Sequence, residues 1–145
     1  MRSLFVFLII ALPAVAAPVP KEAKKTPLEH LQGKWLIVSI DKGEGPIVPD
    51  GDFATYTLTI DGVHISTATA ISSAYPRAPA KFDFKSDPIK MDMPFGGGDK
   101  VIPGIIKIDG DRLEWCHAPD GGGTRPTEFQ GGDGNHYYVW KRVAK

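Results

Sequence analysis

An all-β domain, an eight-stranded antiparallel up-and-down barrel with one short N-terminal helix, is the fold this sequence predicts, and three observations predict it. Short runs alternating apolar with polar residues recur after residue 33, most are joined by tight-turn pairs such as Asp61-Gly62 and Asp109-Gly110, and no stretch between them is long enough for a parallel crossover. Closing such a meander removes the exposed sheet edges that a two-sheet sandwich, the second architecture compatible with the pattern, would keep. A barrel of about eight strands encloses a space that is either filled by side chains or holds one small ligand.

Taken in order, Thr26-Pro27-Leu28-Glu29 pairs an N-cap threonine with proline at the first helical position and glutamate at the capping-box position, which predicts a short helix to Gln32, stopped by Gly33. Trp35 to Ile40 is the first strand, followed by a loop over Gly43 to Asp52 that contains Gly45, Pro46 and Pro49. Thr55 to Ile60 alternates threonine with large apolar groups, so Tyr56, Leu58 and Ile60 face the core, and Asp61-Gly62 turns the chain back along Val63 to Ile71. Ala80 to Lys85 and Ile89 to Met93 form another hairpin through Ser86-Asp87-Pro88, with Phe82, Phe84 and Met91 inward. Gly104 to Ile108 and Arg112 to Ala118 pair across Asp109-Gly110-Asp111, which puts Leu113, Trp115 and His117 on one face. A short segment around Phe129 leads to the last strand, His136 to Val143.

The 145 residues suffice for one core, and 17 basic side chains balance 17 acidic ones, so no net field draws the chain to nucleic acid. The N-terminus has the anatomy of a secretory signal peptide: Arg2, an apolar run from Leu4 to Leu12, then Ala14-Val15-Ala16. Residues 1–16 are therefore expected to be a signal peptide, 17–25 a flexible tether rich in proline, alanine and charge, and 26–145 the domain. The apolar run is too short for a relaxed span, so the expected product is an exported protein, periplasmic, envelope-associated or extracellular, with no membrane span after cleavage.

Leu31-Gln32-Gly33-Lys34-Trp35, Ile108-Asp109-Gly110-Asp111-Arg112-Leu113, Cys116, Arg125-Pro126-Thr127-Glu128-Phe129 and Arg142 form a constellation spread over essentially the whole mature chain. Together they resemble the lipocalin-like domain family of planctomycete bacteria, an exported and largely uncharacterised group. The resemblance implies a lipocalin-like barrel in which Gly33 and Trp35 open the first strand, Trp35 plugs one end beneath the helix, and Arg142 lies across its ring. Where that family carries an aromatic shortly after the glycine matching Gly104, this chain has Ile105-Ile106.

Few residues point to chemistry. Arg125, Pro126, Glu128 and Phe129 are read as a rigid corner, with Pro126 fixing the backbone, Phe129 inserted into the core and Arg125 or Glu128 paired to neighbours. Of the four histidines, His30, His64 and His136 are read as surface groups and His117 as one that looks into the barrel, and none has zinc-ligand spacing. Cys116 is the single cysteine, read as a small packed side chain rather than a nucleophile. Gly96-Gly97-Gly98-Asp99-Lys100 lacks the spacing of a phosphate loop, and Asp120-Gly121-Gly122-Gly123 and Gly131-Gly132-Asp133-Gly134-Asn135 do not match a calcium loop, so all three are expected to be mobile connections. Ser72-Ser73 lies in no nucleophile elbow.

No metal, cofactor or catalytic residue is expected. Two functions fit: a non-catalytic binding module holding a small apolar or amphipathic ligand against Tyr56, Leu58, Phe82, Phe84, Met91, Trp115 and His117, or an interaction or inhibitor module that presents its glycine-rich loops to an envelope protein partner.

Overall fold

A computed structural model describes residues 24–70, 73–94, 99–119 and 121–144. The expected signal peptide, most of the tether, the Gly96-Gly97-Gly98 tract, Ser72 and Asp120 lie outside the described residues.

Nine antiparallel strands form a nearly closed barrel: β1 (Gly33–Asp41), β2 (Thr57–Asp61), β3 (His64–Ala68), β4 (Ser73–Pro79), β5 (Lys81–Asp83), β6 (Ile89–Pro94), β7 (Val101–Asp109), β8 (Arg112–His117) and β9 (His136–Arg142). Their order is β4-β3-β2-β1-β9-β8-β7-β6-β5, so the first strand pairs with the last and the two edges are neighbours in sequence. The ninth strand corrects the expected eight. Ser73–Pro79 ladders against β3, the chain passes Ala80, and Lys81–Asp83 ladders against β6. One extended path thus leaves one side of the seam and joins the other, and Ala80 still donates its N–H to Val63 O at 2.8 Å.

Cross-strand partners share a face, and the register therefore defines the inside of the barrel. Ile37↔Trp140↔Leu113↔Ile108, Ile40↔Tyr138↔Trp115↔Ile106↔Ile89 and His136↔His117↔Gly104↔Met91↔Phe82 are three inward rows. A register shift between Ile37 and Ser39 lets Ile40 point inward although it lies three residues after Ile37. Leu58 and Ile60 on β2 and Ile65 on β3 complete the buried wall, as the threonine alternation predicts.

One end of the barrel is plugged. Helix α1 (Pro27–Leu31) has both halves of its capping box: Thr26 Oγ1 accepts from Glu29 N–H and the Glu29 carboxylate accepts from Thr26 N–H. Five residues are too few to stand as a helix alone, and side chains from the barrel hold it in place. Trp35, fully buried, donates from its indole to Leu31 O at 3.0 Å. Arg142 donates to His30 O and Gln32 O, both at 2.7 Å, and its guanidinium carbon lies 4.0 Å from the centroid of the Trp35 ring. Gly33, at φ +119°, takes a conformation that glycine adopts without strain, and a Cβ there would lie 3.5 Å from an Arg142 nitrogen. Gln32 completes the plug, exchanging two hydrogen bonds with the backbone of Gly62 in the β2–β3 turn. Among the described residues no helix is long and apolar enough to cross a membrane.

Candidate functional site

Above the plug, the inner wall becomes aromatic. Tyr56 enters from the turn before β2, Trp115 and His117 from β8, and His136, Tyr138 and Trp140 from β9. Alternation explains the set: 113, 115 and 117 on one strand meet 140, 138 and 136 on the next, pair by pair. Ring centroids are 5.3 Å apart for Tyr56 and Trp140, 5.8 Å for Tyr138 and Trp140, 5.7 Å for Trp115 and Tyr138, 4.6 Å for Trp115 and His117, and 5.3 Å for His117 and Tyr138. The Trp115 indole reaches over Gly104, the β7 partner of His117, where a Cβ would lie 3.0 Å from the indole nitrogen.

Polar atoms on this wall are unevenly served. The Tyr56 hydroxyl donates to Thr67 Oγ1 at 3.0 Å, and the Tyr138 hydroxyl lies 3.4 Å from His136 Nδ1. Trp115 Nε1, Trp140 Nε1 and His117 Nδ1 are buried with no hydrogen-bond partner among the described residues. Burial first, and then the neighbouring His136, hold His117 down to about 4, against a raising backbone contact to Ala118, so the imidazole is neutral at ordinary pH. Burial raises the Tyr138 phenol, with Tyr56 adding to the effect, and burial likewise raises Tyr56, so both keep their protons. Among the described strand residues on the inner face, Arg142 at the plug carries the one fixed charge.

The seven residues expected to line the interior divide. Tyr56, Trp115 and His117 join the aromatic wall; Leu58, opposite Trp35, and Met91 are fully buried core; Phe82 and Phe84 stack on one another at 5.5 Å, half-buried beside the seam. Half of the wall was not anticipated. His136, expected at the surface, instead faces His117 across β8 and β9, its ring 5.9 Å away. The alternation His136, Tyr138, Trp140 carries that signal, but Tyr137 beside Tyr138 gives the opposite phase nearly equal apolar weight.

On the outside of the barrel the segment 123–132 straps across β6, β7, β8 and β9. Arg125 anchors it, donating to Gly104 O at 2.6 Å, Met91 O at 3.1 Å and Asp92 Oδ1 at 2.5 Å. Phe129 does not insert into the core: the strap runs over the outer face, and there the half-buried ring packs on Tyr137 with centroids 6.2 Å apart. Glu128 is exposed. Beneath the strap Cys116 is fully buried and its thiol donates to Gln130 O at 3.4 Å; burial raises its pKa, which suits a packing role. The Gly131 to Asn135 stretch is a packed turn rather than a loose connection. Gly132 and Asn135 exchange backbone hydrogen bonds of 3.1 and 2.8 Å, and a Cβ on Gly131 would lie 2.4 Å from Asp41 O.

Comparison with protein-family models, with curated proteins and with solved structures finds no match to this chain.

Proposed function

We propose that this chain is an exported, non-catalytic binding module of the lipocalin-like kind, which holds a small apolar or amphipathic molecule against the aromatic wall of its barrel. The observation that carries the reading is the gathering of three unpartnered buried nitrogens, those of Trp115, His117 and Trp140, on one patch of the inner wall. A few such groups are ordinary in a domain of this size, but each costs about 1–3 kcal/mol when left unpaired. A molecule that rests on the rings and accepts from the indoles recovers part of that cost on binding. The half-buried state of Tyr56, His136 and Tyr138 supports access, since these inward side chains keep solvent-exposed surface. Export rests on the N-terminal pattern of Arg2, the apolar run and Ala14-Val15-Ala16, and kinship rests on the Gly33, Trp35 and Arg142 arrangement.

Native mass spectrometry of the protein purified from the cells that make it tests the reading, together with tryptophan emission during titration with fatty acids, terpenoids and fused aromatics. Retained small-molecule mass, or a saturable emission change from Trp115 and Trp140, is the expected result. A bare chain that responds to no member of the panel overturns the proposal.

A further inference from the structure

Resting on that reading, we infer that the molecule accommodated is a flat, uncharged ring system bearing a hydrogen-bond acceptor such as a carbonyl or ring oxygen, rather than a flexible acyl chain or a carboxylate.

Ring orientation is the first reason. The planes of His117 and Tyr138 differ by 4°, those of Tyr138 and Trp140 by 19°, those of Trp115 and Trp140 by 26°, and those of Trp115 and Tyr138 by 32°. Rings from two adjacent strands thus already stack on one another, within 4–26° of parallel at three of these pairs, while Trp115 is tilted by 32° to Tyr138 and 35° to His117, and a planar guest that continues the row extends the same offset stacking. An aliphatic chain gains area there but no ring-to-ring geometry.

Polarity is the second reason. Both indole nitrogens carry hydrogens and accept nothing, so what they lack is an acceptor. The third reason is charge. A carboxylate entering this wall would be desolvated beside a neutral imidazole, and the fixed inward cation, Arg142, is committed to His30 O, Gln32 O, Asp111 and the Trp35 ring. An uncharged acceptor meets the two N–H groups without that penalty.

Equilibrium dialysis of the purified chain against four probes separates the possibilities: coumarin, which is planar, neutral and acceptor-bearing; naphthalene, of similar size without an acceptor; 1-naphthoate, planar and charged; and decanoate. Coumarin is expected to bind tightest, roughly three- to tenfold above naphthalene, the range one net hydrogen bond gives. In Trp140→Phe that ratio falls toward one, and Trp115→Phe serves the same purpose should the first variant lose its urea midpoint. Equal binding of coumarin and naphthalene, or tighter binding of decanoate or 1-naphthoate, overturns the ligand class while leaving a binding module in place. Failure of all four, with no retained mass in the native spectrum, removes the binding reading itself and this inference with it.

Discussion

Replacing Arg142 by methionine tests the plug at its most connected atom group. The guanidinium makes two hydrogen bonds of 2.7 Å to the carbonyls of His30 and Gln32 at the C-terminal end of α1, and each bond from a charged donor contributes about 1.5–3 kcal/mol. Its stacking on Trp35 at 4.0 Å adds about 0.5–2 kcal/mol. The pair with Asp111 at 3.1 Å counts for less, at most about 1 kcal/mol, because that carboxylate is three-quarters exposed. These contributions are not additive, and methionine keeps part of the stem packing, so the expected cost is about 3–5 kcal/mol. For a domain of this size that lowers Tm by roughly 10–20 °C. Urea unfolding followed by tryptophan emission and far-ultraviolet circular dichroism reads it. Trp35→Ala in parallel is expected to cost roughly 3–5 kcal/mol, as for a well-packed aromatic. The double variant should lose about 0.5–2 kcal/mol less than the sum, since each single change already forfeits the stacking. An Arg142→Met protein within about 1 kcal/mol of the parent, or strict additivity of the pair, would refute the account of the plug.

Three further outcomes follow from contacts elsewhere. Arg125→Met removes all three anchors of the outer strap, so Cys116, expected to resist iodoacetamide in the folded parent, becomes alkylated at a measurable rate and stability drops by about 2–4 kcal/mol; equal labelling rates in the two proteins would exclude the strap as its cover. Gly104→Ala pushes a methyl to 3.0 Å from both Cys116 O and the Trp115 indole nitrogen, and it should cost about 1–3 kcal/mol with a shift in tryptophan emission, whereas an unchanged urea midpoint speaks against that packing. His117 is held at about 4 against an ordinary 6.5, so the unfolded chain takes up this proton first. Its contribution is whole above about pH 6.5 and fades as pH falls toward 4, by up to about 3 kcal/mol; His117→Leu should show a correspondingly shallower acid dependence of the urea midpoint, and superimposable curves would count against a buried neutral imidazole.

Much of the frame is legible from residue spacing because a strand's alternation is local. Thr57-Leu58-Thr59-Ile60 and Leu113-Glu114-Trp115-Cys116-His117 place their inward groups without reference to anything distant. The capping box of Thr26 and Glu29 is equally local. The misreadings share a different cause. Ser73–Pro79 carries two prolines, which argue against a strand unless it lies at an edge, and edge position is a property of the closed sheet. Tyr137 and Tyr138 are adjacent aromatics, and which one faces inward is decided by pairing to β8. Phe129 has the apolar character of a core residue, but the outer row Ile105, Cys116 and Tyr137 is apolar too, and the Arg125 anchors draw the strap to it. The aromatic wall was half visible for the same reason: β8 declares its phase alone, and β9 does so only in register with it.

The seam between β4 and β5 bears on how the molecule keeps company with its own kind. A β-sheet that ends in a bare margin invites another chain to lie alongside and continue it. In β4 the nitrogens of Pro76 and Pro79 carry no hydrogen, so this seven-residue margin has two fewer donors to offer a neighbour. The opposite margin, β5, is three residues long and offers too little length to template an addition. A fold left slightly ajar thus keeps margins that make poor templates for strand addition.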